Sequence, residues 1–77
     1  RWQMMKCPSK ETVNALRKQY PIGCTVQLIS MDDPHAPPVG TLGKVIAVDD
    51  VGTIHVAWQT GSSLGIAFAL DHCRRVD

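Results

Sequence analysis

The chain has few of the features that usually announce a function. No apolar run approaches the ~18 residues needed to span a bilayer, and the opening "RWQMMK" has neither a long apolar stretch nor a small-residue cleavage site of a signal peptide. Its three cysteines, Cys7, Cys24 and Cys73, form no C-x-x-C pair. That excludes a zinc knuckle and a dense disulfide framework, and a reducing cytoplasm is the expected setting. There is no phosphate-cradling Gly-Lys-Ser/Thr run and no G-x-S-x-G elbow. Aromatics make up only 5% of the 77 residues.

What is present is a moderately apolar chain, 44% hydrophobic, with a net charge of +1 that hides an uneven distribution. Residues 1–20 carry Arg1, Lys6, Lys10, Arg17 and Lys18 against Glu11, whereas residues 21–77 carry Lys44, Arg74 and Arg75 against six aspartates. A basic leader thus precedes an acidic body. Because sequence-independent nucleic-acid affinity comes from cations neutralising phosphates, the acidic body is a poor footprint for that role.

Ser9 followed by Glu11 marks a helix start, and Val13, Leu16 and Tyr20 recur at helical spacing ahead of Pro21 and Gly23. The pattern predicts an amphipathic helix over about 10–19. It is too short to persist alone, so it must dock on the sheet behind it, and its apolar residues are expected to cover the face carrying Ile46 and His55. From Cys24 the period becomes two. "CTVQLIS", "GKVIAVD" and "TIHVAWQ" read as three strands, the last two joined by "DDVG", with Gly52 free to take a positive φ. A register with Val48 opposite Thr53 sets Val45 against Val56 and lays Trp58 over Gly43, a core position for the indole. "SSLGIAF" is expected to supply a fourth strand bent at Gly65, and residues 73–76 a short closing strand. The fold class is mainly β: a five-stranded SH3-like barrel over 21–77 behind a helical leader. Cys24 and Cys73, each opening a strand, would pair only if the first and last strands bring them into register.

From Tyr20 onward the chain carries "YPIGCTVQL", "MDDPHAP", "GTLGKV", "VDDVGTIHVAW" and "GSSLG". These motifs closely resemble the prokaryotic and phage domain-of-unknown-function family 4314. They fall on Tyr20, Pro21 and Gly23; on Met31, Asp33, Pro34, Ala36 and Pro37; on Gly40, Thr41 and Gly43; on Val48 to Val56 with Trp58; and on Gly61 to Gly65. Gln59 departs from the pattern, standing where an acid is common. The resemblance implies an SH3-like barrel and a bacterial or phage setting, and it implies no activity.

The run "SMDDPHAPPVGTLG" offers Asp32, Asp33 and His35. Two adjacent aspartates and a histidine fall short of both a calcium loop and a zinc site, so no metal or cofactor is expected. The prolines instead make a stiff arm, with Val39-Gly40 at the centre of a type II turn. His55 shares a strand face with Thr53 and Ala57, and the Asp49 and Asp50 tip is about 10 Å away at ~3.3 Å per residue, so a base-and-orienter pair is not expected. No catalytic set emerges, and an enzyme is not expected. Asp49 and Asp50 either cap a turn or join Asp32, Asp33 and His35 in an acidic rim for a basic protein partner. The alternative is a nucleic-acid-binding barrel using Arg17, Lys18, Arg74 and Arg75.

Overall fold

The computed structural model describes residues 8–77. Arg1, Lys6 and Cys7 of the basic leader lie outside them. Helix α1 spans Lys10–Gln19 as its caps dictate. Ser9 has extended backbone, and its hydroxyl accepts from the Thr12 amide at 3.1 Å. Tyr20 ends the helix, its N–H still bonded to Leu16 O at 2.8 Å.

Four strands follow: β1 Thr25–Ser30, β2 Leu42–Val48, β3 Ile54–Trp58 and β4 His72–Arg75. They form one antiparallel sheet in the order β3-β2-β1-β4. The expected fifth strand is not formed. "SSLGIAF" makes only an isolated bridge, Ile66 to Ile54. Gly61, Ser62, Ser63 and Gly65 have little strand propensity, and the Ser62 hydroxyl accepts from the Leu64 amide at 3.3 Å, a local turn that competes with a ladder. The sheet has β3 and β4 at its two edges.

Alternation along the strands buries Val26 and Leu28 of β1, Val45 of β2 and Ile54, Val56 and Trp58 of β3 in one cluster with Tyr20, Cys24 and Ile66. The helix feeds this cluster, through Leu16 and Tyr20, rather than covering the opposite face. Ile46 accordingly remains exposed. Trp58 is core, 3% exposed, and its indole N–H donates to Leu64 O at 2.8 Å. Gly43 lies opposite Trp58 as the sequence requires. A Cβ there would sit 2.5 Å from Val56 Cγ1 and 2.8 Å from Trp58 Cε3.

The β2–β3 ladder departs from the expected register beyond Val45. A bulge at Ile46 shifts the pairing to Ala47↔His55 and Val48↔Ile54, so Val48 does not face Thr53. Asp49 takes that place, its N–H bonded to Thr53 O at 3.0 Å. Cys24 and Cys73 are both free thiols. The partner of Cys73 across β1–β4 is Leu28, which leaves Cys24 four positions further along the strand. Burial pushes the Cys73 thiol up to about 11, outweighing the hydrogen bond with Tyr20 that lowers it, and burial likewise raises Cys24. Both are protonated and poorly nucleophilic at neutral pH.

Two substitutions test this packing. Gly43→Ala forces the indole and Val56 apart and is expected to destabilise the fold by about 3 kcal/mol in urea denaturation. Ala69 holds a left-handed φ of 63°; Ala69→Gly relieves that strain and is expected to stabilise by roughly 0.5–1 kcal/mol, read as a higher urea midpoint.

Candidate functional site

The β2–β3 hairpin and the arm between β1 and β2 carry the acids singled out in the sequence. In the hairpin, Gly52 adopts φ 81° and its N–H bonds back to Asp49 O at 3.1 Å, closing the turn. The Asp49 carboxylate organises the rest. Oδ1 accepts from the Val51 and Thr53 amides at 3.1 and 2.9 Å, and Oδ2 accepts from His55 Nε2 at 2.9 Å.

Asp49 and His55 are therefore in contact, contrary to the expected separation. That expectation measured distance along the strand from the hairpin tip. Across the ladder, with Asp49 opposite Thr53, His55 is the diagonal neighbour on the same face, within reach of two polar side chains. Burial acts to raise the Asp49 pKa, but the His55 and backbone N–H bonds outweigh it and hold the carboxyl below its ordinary value. The ionised carboxylate orients the imidazole, the second half of a base-and-orienter pair. Among the described residues no hydroxyl or thiol hydrogen-bonds to that ring, so the pair fixes the hairpin without an attached nucleophile.

Asp50 points outward and is 98% exposed, yet it meets the helix: Arg17 Nη2 lies 2.9 Å from its Oδ1, while Arg17 Nε donates to Val48 O at 3.2 Å. The ion pair borders a groove of about 380 Å³ lined by Arg17, Tyr20, Pro21, Ile22, Ala47 and Val48. Ile22 is 78% exposed at its rim. This groove was not anticipated. Its only sequence signal was an isoleucine in the Pro21 to Gly23 turn, where burial is unusual.

In the arm, Asp33 Oδ1 accepts from the His35 amide at 2.8 Å, and the Ala36 amide bonds to Asp33 O at 3.0 Å. His35 is thus placed by its backbone in a local turn. Gly40 has φ 92° and the Thr41 amide bonds to Pro38 O at 3.1 Å, which is the expected type II turn. Asp32 is fixed through its own N–H, which donates to Asp71 Oδ1 at 3.0 Å. Asp71 is the residue that sequence reasoning passed over. Only 3% exposed, it also accepts from the Ala67 amide at 2.9 Å, tying the arm to the turn before β4.

The basic residues are largely engaged within the molecule. Arg74 Nε donates to Gln27 Oε1 at 3.0 Å. Arg75 bonds Asp77 through Nε and Gln19 O through Nη1, each at 3.3 Å. Arg17 is held as described, and Lys18 is exposed on the last turn of α1. The described residues contain no group of three or more His, Cys, Asp or Glu placed to hold a metal ion. No described helix is long and apolar enough to cross a membrane.

A family model, a domain of unknown function designated DUF4314, matches residues 9–76, which include the helix, all four strands and both acidic loops. The chain belongs to the DUF4314 family. No curated protein and no solved structure matches it. The DUF4314 match begins at the helix-capping Ser9, so the matched region includes the helix that forms one wall of the groove.

Two substitutions probe the anchors. The Asp49 carboxyl has its folded pKa below the unfolded one, so its contribution to stability is present above the ordinary carboxylate range and is lost as pH falls through the lowered value. Asp49→Asn is expected to flatten the dependence of Tm on pH below about 5, measured by thermal unfolding of both proteins across that range. Asp71→Ala removes the shared acceptor of two part-buried amides and is expected to cost about 2 kcal/mol in urea denaturation.

Proposed function

We propose that this domain is a non-enzymatic protein-binding module, an SH3-like barrel that serves as an accessory domain of a bacterial or phage polypeptide in the cytoplasm. The observation that carries the reading is the groove between α1 and β2. It has an apolar floor of Pro21, Ala47 and Val48, and Ile22 and the Arg17–Asp50 pair stand at its margin. Ile46 and Val51 add exposed apolar surface on the same hairpin. Solvent-facing isoleucines and valines gathered around a groove are what a partner covers.

The preferred partner is a basic protein segment with an apolar anchor. Asp50 at the hairpin tip supplies the acidic margin of the groove, while Asp49 supports the hairpin from within; Asp32, Asp33 and His35 stand on the arm that enters the other end of β2 and do not line the groove. Such a rim sets orientation and on-rate more than raw affinity, and the anchor in the groove supplies the affinity.

The partner is retrieved by affinity purification from cells that make the domain, and its binding is measured by calorimetry. Ile22→Glu and Asp50→Lys are each expected to weaken it at least about tenfold. Tm should change little, because an exposed ion pair contributes only about 0–1 kcal/mol. Full affinity in both variants would refute the groove reading. Steeply salt-dependent binding to DNA or RNA, lost in an Arg74→Ala, Arg75→Ala variant, would favour the nucleic-acid alternative instead.

A further inference from the structure

The two edges of the sheet are treated differently. In an antiparallel ladder, alternate residues of an edge strand direct their N–H and C=O groups away from the neighbouring strand. On β3 these are Ile54, Val56 and Trp58. The segment after β3 covers the first and the last: Ile54 exchanges two bonds with Ile66, at 3.0 and 2.8 Å, and the Trp58 amide donates to Ser62 O at 3.0 Å. Val56 between them is fully buried.

On β4 the outward-facing residues are Cys73 and Arg75. The Val76 amide bonds to Thr25 O at 3.0 Å, and Gln27 pairs with Arg74, so Val76 and Arg74 face β1 while the residues between and before them face outward. Among the described residues, no bond outside the β1–β4 ladder reaches the N–H or C=O of Cys73 or Arg75, and the ladder's own bonds fall on Arg74 and Val76. The β4 backbone therefore offers a two-residue docking ladder, and an uncovered edge of this kind pairs readily with another strand.

We propose that the β4 edge is a second binding site, which takes an extended acidic segment of a partner protein as an added antiparallel or parallel strand. Charge selects the occupant. His72 and Arg74 project from one face of β4, with Arg74 steadied by Gln27, and Arg75 projects from the other, where Asp77 and Gln19 O already engage it. A second copy of this chain pairing β4 to β4 would set these arginines beside one another, and opposed like charges destabilise a strand pair. A partner strand with a carboxylate at every second position instead sets one carboxylate against the Arg74 guanidinium with complementary charge. This site lies on a different strand from the groove and is opposite in charge to the acidic rim.

The test uses a synthetic peptide of about ten residues alternating glutamate and valine, long enough to cover a strand of typical length, titrated into the isotope-labelled domain and followed by NMR. Saturable shifts at Cys73 and Arg75 are expected, with amide exchange at these two residues slowed at least about tenfold on binding and little change at Arg74, which already faces β1. The same peptide N-methylated on its docking amides is expected to lose binding, and Arg74→Glu to weaken it at least about tenfold. No response at Cys73 and Arg75 at millimolar peptide would overturn the proposal. So would equal binding of the N-methylated peptide, or protection of the two amides that grows with protein concentration in the absence of peptide, which would identify a second copy as the occupant.

Discussion

The buried carboxylate of Asp71 is the constraint on which the other features depend. It takes one N–H from Asp32, at the exit of β1, and one from Ala67, in the turn that precedes β4. Two segments 35 residues apart in sequence are thereby fixed to one group. A buried carboxylate satisfied by backbone donors is worth far more in place than removed, since its loss leaves both part-buried donors without their shared acceptor. From that anchor β4 enters antiparallel to β1 at His72 opposite Ser30, with the β1 bulge absorbed immediately beyond. The same anchor fixes the start of the arm that carries the acids.

A second carboxylate, Asp49, does comparable work at the β2–β3 hairpin. The bulge at Ile46 brings Asp49 opposite Thr53, and only with that shift does His55 become its diagonal partner. The two acids of "DDVG" thus divide their labour: Asp49 turns inward to hold the loop, and Asp50 turns outward to meet Arg17. The groove lies where the last turn of α1 meets β2, with Tyr20 anchored in the core and the exposed Arg17–Asp50 pair at its border.

Much of this was legible in the residues. Ser9 and Pro21 delimit the helix because capping and ring sterics are local, and Gly40 and Gly52 mark turns because only a residue without Cβ takes those backbone angles cheaply. Trp58 over Gly43 was legible because an indole in a period-two strand needs a bare partner. The bulge was not: "GKVIAVD" is apolar on both faces, so sliding one residue leaves its pattern unchanged. Nor was the fate of "SSLGIAF", where serine and glycine side-chain and turn chemistry competed with strand pairing. Asp71 gave no signal, because an aspartate near the chain end reads as solvated unless its backbone donors are known.

Among the described residues the sheet is asymmetric, with the β3 edge covered at Ile54 and Trp58 by residues 62–66 and the β4 edge uncovered. Native-state amide hydrogen exchange of the domain alone tests that account most directly. The amides of Ile54, Trp58, Asp32 and Ala67 are expected to exchange only through opening of the folded structure, whereas those of Cys73 and Arg75 exchange faster by orders of magnitude. Protection of Cys73 and Arg75 equal to that of Arg74, or rapid exchange at Asp32 and Ala67, would contradict it.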